Sequence, residues 1–164
     1  MGELVGSHLR MPLIRENIYY FELSLFFTMS TSKLELKTPN EAETVYYEAF
    51  MHCDAEVMAA LWADGDVVCI HPGSGAIVGH EAVMRSWSHI FYNARPPQIA
   101  YTVSKRIVSD ELMVSLVVEE IATDGGDDAL VLATNVYQKY ASGWLMVEHH
   151  GSLVQSRSQK QTLQ

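Results

Sequence analysis

At 164 residues the chain has the length of one domain, because folded domains commonly contain roughly 100–200 residues. A hydrophobic fraction of 48% and a charged fraction of 19% exclude a disordered chain. The net charge of −9 is concentrated in residues 39–154, where acidic side chains outnumber basic ones by 16 to 5, and so acidic a surface excludes nucleic acid as an expected partner.

The most apolar run near the start, IYYFELSLFFTM, covers residues 18–29. It is shorter than the roughly 20 apolar residues of a membrane-spanning helix, and Glu22 interrupts it. Arg15 and Glu16 break the pattern of a signal peptide, so no membrane partner is expected. Three interpretations of residues 1–38 stay open: an extra element packed on the domain, an arm packed on a second subunit, or a misassigned start with translation beginning at Met29.

Two helical segments are predicted after this extension. Thr38, Pro39 and Glu41 form a helix start with a cap residue, a first-turn proline and a capping-box glutamate. The apolar stripe that follows is Ala42, Val45, Tyr46, Ala49, Phe50 and Cys53. Asp54 can cap a further stretch whose apolar face is Val57, Met58, Leu61 and Trp62. Two tandem helices and one kinked helix fit this pattern equally well.

A short strand and a second amphipathic helix come next. The sequence VVCIH at residues 67–71 predicts the strand, and the Pro-Gly-Ser-Gly turn at 72–75 ends it. The helix is predicted over residues 80–92, before Pro96 and Pro97.

From residue 98 onward the hydrophobic pattern alternates. The runs at 98–108, 112–122, 129–140 and 144–153 are joined by short, turn-rich links, which predicts an antiparallel meander. Several of these strands are apolar on both faces. Because the helices cover one face, we expect a second copy of the chain to cover the other, giving a homodimer through the outer sheet face. Residues 155–164 are typical of a polar tail.

This order of elements resembles the nuclear transport factor 2-like superfamily, specifically its SnoaL-like or ketosteroid-isomerase-like members. The motifs that carry the resemblance are ALW at 60–62, IHPG at 70–73, GHEAV at 79–83, SW at 86–87, ATNVY at 133–137 and GWLMVEHH at 143–150. The resemblance covers roughly residues 40–154. It implies an α+β, cystatin-like fold: a cone-like roll in which a curved antiparallel sheet wraps around N-terminal helices and encloses an apolar pocket.

The enzymes of this superfamily place an aspartate or histidine base and a tyrosine or carboxylic acid in the cone. None of those active-site patterns matches this chain residue by residue, so the resemblance assigns no catalytic residue. Members include isomerases, dehydratases, cyclases, hydrolases and binding or assembly modules, and the fold therefore does not define the function.

Two residues are the candidates for proton transfer. His71 ends the first strand beside a glycine-containing turn, where an imidazole of near-neutral pKa can move protons. It can equally be a histidine that holds the turn by a hydrogen bond. Glu119 and Glu120 lie in an apolar strand and point to opposite faces. An inward carboxyl, which we assign to Glu119, would have a raised pKa, or would serve as a partner for a histidine or tyrosine on the next strand.

Further residues are predicted to line a ligand pocket: Trp62, Trp87, Asn135, His149 and His150. The two adjacent histidines must face opposite sides of their strand, and the sequence does not say which faces inward. Alternation groups Trp144, Met146, Glu148 and His150 against Leu145, Val147 and His149. Asn135 is predicted to be an orienting hydrogen-bond donor.

No cofactor or metal is predicted, because paired ligands such as H-x-x-x-H are missing from the sequence. Cys53 and Cys69 are too few for a disulfide scaffold, so two buried thiols and a cytoplasmic setting are expected. Two functions agree with these residues. The first is an isomerase, lyase or hydrolase that transfers protons on a small apolar molecule. The second is a noncatalytic ligand-binding or dimerisation module.

Overall fold

The computed structural model describes residues 34–93, 95–122 and 128–154. The interpretations of residues 1–33 and of the polar tail lie outside these ranges. The described helices and strands, in chain order, are α1 Pro39–His52, α2 Ala55–Leu61, β1 Val68–Ile70, β2 Ile77–Val78, α3 His80–Asn93, β3 Gln98–Val108, β4 Leu112–Ala122, β5 Ala129–Tyr140 and β6 Gly143–Leu153. None of the helices in the described ranges is long and apolar enough to cross a membrane.

The first two helices are separate because Cys53 adopts a left-handed conformation, with φ of 53°. Thr38 and Glu41 form the predicted capping box at the start of α1, and the Asp54 side chain caps the backbone of α2. Of the two open alternatives, the structure therefore shows tandem helices. Cys69 is buried as expected, whereas Cys53 is half-buried at the end of α1.

The six strands form one sheet in the order β2-β1-β6-β5-β4-β3. Strands β3 to β6 are the predicted antiparallel meander, and β1 pairs in parallel with β6. Strand β2, which was not predicted, is a two-residue segment that pairs with β1. The sheet is curved and unclosed, with the helices on its concave face, so the predicted α+β roll is confirmed.

The two faces of β4 differ in burial as the alternation predicts. Met113 and Val117 are buried on the concave face, together with Ser115 and Glu119. The opposite face exposes large apolar side chains, among them Ile107, Leu112, Leu130 and Leu132. The covering of this outer face by a second copy stays a prediction.

Strand β6 departs from strict alternation. Tyr137 of β5 opposes Met146, but Val136 opposes Glu148, so Val147 is an extra residue at a β-bulge. As a consequence Trp144, Met146 and His149 are all buried on the concave side. The predicted grouping of His149 with Leu145 and Val147 is wrong, because the bulge reverses the facing of every later residue.

Candidate functional site

A row of polar side chains crosses the concave face of the sheet. Arg106 on β3 opposes Ser115 on β4, and Ser115 opposes Asn135 on β5. Asn135 in turn opposes His149 on β6, and Cys69 on β1 continues the row beyond it. Polar groups in an otherwise apolar interior require hydrogen-bond partners, and these partners come largely from α1.

Five buried side chains form a continuous hydrogen-bonded chain, which we call the polar chain: Tyr46, His149, Asn135, Tyr47 and Glu119. Tyr47 OH donates to Glu119 Oε1 at 2.8 Å and accepts from Asn135 Nδ2 at 3.0 Å. His149 Nδ1 lies 2.7 Å from Asn135 Oδ1 and 3.2 Å from Tyr46 OH. None of the five residues is more than 2% exposed.

The orientation of Asn135 determines which nitrogen of His149 carries the proton. An amide oxygen only accepts hydrogen bonds, so His149 Nδ1 must be the donor to Asn135 Oδ1. The neutral ring then carries no proton on Nε2. Burial, with a smaller effect from the charges of His71 and His150, lowers the pKa of His149 to about 3. His149 is therefore neutral at physiological pH.

Glu119 lies at the other end of the polar chain. Burial raises the pKa of its carboxyl to about 7, and the hydrogen bond from Tyr47 opposes this rise only in part. On the sheet Glu119 lies opposite Tyr101 of β3 and Val131 of β5. A carboxyl in these surroundings gains and loses its proton near neutral pH, as acid–base catalysis requires.

His71 is close to the polar chain but is only half-buried. Ser86 Oγ donates to Val83 O at 2.8 Å, so its oxygen accepts from His71 Nε2 at 2.9 Å. The His71 ring centre is 6.5 Å from that of His149, and both rings approach Trp87. Burial lowers the pKa of His71, which keeps this imidazole neutral as well.

Aromatic rings surround these groups. Trp87 packs edge-on against Tyr46 and Phe50, and Tyr47 stacks on Tyr101 with ring centres 3.7 Å apart. Trp62 is also buried, but among the described residues no ring contact joins it to His71 or the polar chain. Its backbone forms a bridge with Met146, which places Trp62 in the general core.

The structure thus brings together five of the residues singled out in the sequence: His71, Trp87, Glu119, Asn135 and His149. His150 is exposed on the outer face, with Nε2 3.3 Å from Ser152 Oγ, so its assignment to the pocket is corrected. Glu120 is exposed too. The partner of Glu119 is Tyr47 on a helix and not a side chain on the next strand.

Sequence reasoning missed Glu43 and Tyr47, which are both buried on α1. They lie four residues apart, and Tyr46 and Phe50 follow at helical spacing, so one face of the helix carries all four. The available signal was a carboxylate and a phenol next to the apolar stripe of a capped helix, at the spacing of one helical turn.

Two cavities at the surface of the described chain lie away from the polar chain. One, of about 530 Å³, is at the ends of β3, β4 and β5 and includes Ile99, Glu120 and Leu130. The other, of about 580 Å³, lies between residues 35–37 and the turn from β5 to β6. Neither is lined by a residue of the polar chain. Within the described ranges, no three His, Cys, Asp or Glu side chains are grouped to hold a metal ion.

The sequence profile of the SnoaL-like domain family matches residues 40–156. The chain belongs to this family. A curated protein similar to this SnoaL-like chain is the F-box protein SKIP8 of Arabidopsis thaliana, 33% identical over 101 residues. That match covers 60% of this chain but 42% of the relative, so the chain spans less than half of that protein's length.

Two solved structures are similar to this SnoaL-like domain over most of their own length. One is assigned as a calcium/calmodulin-dependent protein kinase type II association domain from Thiobacillus denitrificans, with a TM-score of 0.70 and 33% identity, covering 74% of this chain and 99% of that one. The other is assigned as a dehydratase of the NTF2-like family from Streptomyces avermitilis, with a TM-score of 0.66 and 29% identity, covering 71% and 94%. The predicted superfamily is confirmed.

Proposed function

We propose that the protein holds a small apolar molecule on the concave face of its sheet and acts on it by proton transfer, as an isomerase, lyase or hydrolase. The observation that carries this proposal is Glu119, a buried carboxyl that Tyr47 orients by a hydrogen bond of 2.8 Å. Its pKa of about 7 lets it deliver a proton in one step and recover it in the next.

The remaining groups support this chemistry in different ways. Asn135 and Tyr47 position the Glu119 carboxyl, because two hydrogen bonds connect it through Tyr47 on α1 to Asn135 on the neighbouring strand β5. His71 is the second proton-transfer group, since it is more accessible than His149 and its ring is fixed by Ser86. The similarity to a protein assigned as a dehydratase agrees with a lyase, although that name belongs to the relative.

The experiment that tests the proposal begins with native mass spectrometry of gently purified protein, compared with its denatured mass. We expect a bound small molecule whose mass defines the compound class to assay. Glu119→Gln and His71→Ala are then expected to abolish turnover while the folded state persists. Glu120→Gln and His150→Ala are matched controls, because these neighbours face outward and should leave turnover unchanged. Turnover that survives Glu119→Gln would contradict the role of Glu119 as the acid.

A specific observation favours a second function, that of a noncatalytic dimerisation module. The outer sheet face exposes apolar side chains across β3, β4 and β5, and patches of this kind mark association surfaces. We infer that a second copy of the chain covers them. The similarity to a domain whose name includes association supports the same inference.

Sedimentation of the purified protein tests this second function. We expect a dimer that Leu132→Lys converts to a monomer, because the charge would be buried at the centre of the outer face. Tyr92→Lys is the matched control, since Tyr92 is 89% exposed on α3 and not on the sheet. A wild-type monomer, or a dimer unaffected by Leu132→Lys, would contradict an interface at this face.

A further inference from the structure

A second polar cluster lies beside the polar chain, between α1 and strands β3 to β5. Glu43 on α1 is only 1% exposed, and its Oε2 accepts from Arg106 Nε at 3.1 Å and also from Arg106 Nη2. The Arg106 side chain remains 38% exposed, so the ion pair extends from the interior to the surface. The proposed proton transfer uses neither residue.

Three oxygen atoms of this cluster are buried without a hydrogen-bond partner among the described residues: Glu43 Oε1, Ser115 Oγ and Tyr137 OH. Only two other buried side-chain atoms of the described chain share this condition, the indole nitrogens of Trp62 and Trp87. A polar atom that is buried without a hydrogen-bond partner destabilises the folded state, so three in one place require an explanation.

The sheet register brings these oxygens together. Arg106, which holds Glu43, lies directly opposite Ser115. Ser115 opposes Asn135, and Tyr137 is the next inward residue along the same strand, diagonal to Ser115. Burial, and next the negative charge of Glu43, raise the pKa of the Tyr137 phenol, in keeping with their proximity.

We propose that Glu43, Ser115 and Tyr137 form a subsite that binds one uncharged hydroxyl group of a small molecule. The inference rests on the proposed function in one respect, that the hydroxyl belongs to the molecule held on the concave face. Glu43 Oε1 can only accept a hydrogen bond, so the bound group must donate one. The hydroxyls of Ser115 and Tyr137 can each donate or accept, and so match the remaining lone pairs of the ligand oxygen.

The charge of the cluster restricts the ligand further. Arg106 already neutralises Glu43, so a carboxylate or an ammonium group of a ligand would bring an uncompensated charge into a desolvated space. A neutral alcohol or phenol avoids this cost. The subsite therefore recognises the hydroxyl end of a ligand whose apolar body lies among the neighbouring aromatic rings.

Phenol is the smallest probe that combines a ring with an uncharged hydroxyl donor, and toluene is the same shape without the donor. We expect the protein to bind phenol about tenfold more tightly than toluene in a calorimetric or NMR titration. Benzoate and benzylammonium should bind more weakly than toluene. Equal affinities for phenol and toluene, tighter binding of a charged probe, or no binding of phenol would each overturn the proposal.

Two variants that each remove one hydroxyl oxygen test whether these side chains cause the preference for phenol over toluene. Tyr137→Phe and, independently, Ser115→Ala are expected to reduce the affinity for phenol towards that for toluene and to leave toluene binding unchanged. Thr134→Val is the control, because Thr134 faces outward between Ala133 and Asn135. A preference for phenol that survives both deletions would overturn the subsite.

Glu119→Gln separates this subsite from the proposed proton transfer. Glu119 is not a member of the cluster, so Glu119→Gln should retain the tenfold preference even where it abolishes turnover. If turnover survives Glu119→Gln while the phenol preference is lost in Tyr137→Phe, the proton-transfer assignment fails and the subsite stands. If the preference is absent and turnover still depends on Glu119, the subsite fails alone.

Discussion

His149 Nδ1 donates a hydrogen bond of 2.7 Å to Asn135 Oδ1, across the adjacent strands β5 and β6. The same amide donates through Nδ2 to Tyr47, which donates to Glu119. All three hydrogen bonds therefore point in one direction, from the imidazole to the carboxyl. This arrangement fixes the tautomer of His149 and makes Glu119 the terminal acceptor of the polar chain.

Asn135→Leu tests how much the polar chain stabilises the fold. The leucine has a similar volume but cannot bond to Tyr47 or His149, which would lose one partner each in a buried position. We expect a loss of about 2–4 kcal/mol in the free energy of unfolding, measured by urea denaturation. Thr134→Val, one residue earlier on the outer face, should change it by less than about 0.5 kcal/mol. Equal effects would mean that the polar chain contributes little.

Glu119→Gln should change the pH dependence of stability. The folded-state pKa of about 7 lies above the ordinary value of 4.5, so the folded protein holds this proton more tightly than the unfolded chain. Wild-type stability therefore loses up to about 3 kcal/mol from this group as the pH rises from 4.5 to 7. Glutamine has no such ionisation and still accepts from Tyr47. We expect the variant to gain stability relative to wild type between pH 5 and pH 8 in urea denaturation.

His149→Gln should reduce the loss of stability that acidification causes. The folded-state pKa of about 3 lies below the ordinary 6.5, so the unfolded chain takes up the proton first as the pH falls. The wild-type protein therefore loses stability, by several kcal/mol in total, between pH 6.5 and pH 3. Glutamine removes this loss and keeps an N–H donor for Asn135. A variant that remains as acid-sensitive as wild type would assign the sensitivity to another group.

Glu119 and His149 oppose each other between pH 4.5 and 6.5. In that interval Glu119 makes the free energy of unfolding fall as the pH rises, and His149 makes it rise. The two effects partly cancel, so the wild-type free energy of unfolding changes less with pH than that of either single variant. Glu119→Gln alone should leave a stability that rises with pH throughout this interval. The sign of this slope of stability against pH distinguishes the effect of His149 from that of Glu119.

The strands could be predicted closely because their signal is local. Alternating hydrophobicity and short polar turns define β3, β4 and β5 within the sequence itself, and the capping box of Thr38 and Glu41 defines the start of α1. The facing of His149 could not be predicted, because a bulge at Val147 leaves no mark in composition and depends on pairing with β5.

The site was only partly predictable for a related reason. Glu119 and Asn135 stand out as polar residues within apolar strands, whereas Glu43 and Tyr47 lie on a helix where polar residues are ordinarily solvated. Their burial depends on partners distant in the chain, Arg106 and Glu119, and appears only when the sheet curves around α1. Sequence patterns carry no direct record of such long-range pairing.

Gly143→Ala should be among the most destabilising single-methyl additions in the described chain. Gly143 has φ of +120°, and a Cβ atom there would lie 2.7 Å from the backbone oxygen of Leu36. That oxygen also accepts a hydrogen bond of 2.8 Å from Trp144 N, so it cannot move away without losing this bond. We expect a loss of at least about 2 kcal/mol in urea denaturation, from backbone strain and from separation of Leu36 from β6. Gly75→Ala is the control, because a Cβ atom at Gly75 meets nothing within 4 Å and φ there is not positive. Similar stabilities for the two variants would mean that the segment before α1 does not hold the start of β6 in place.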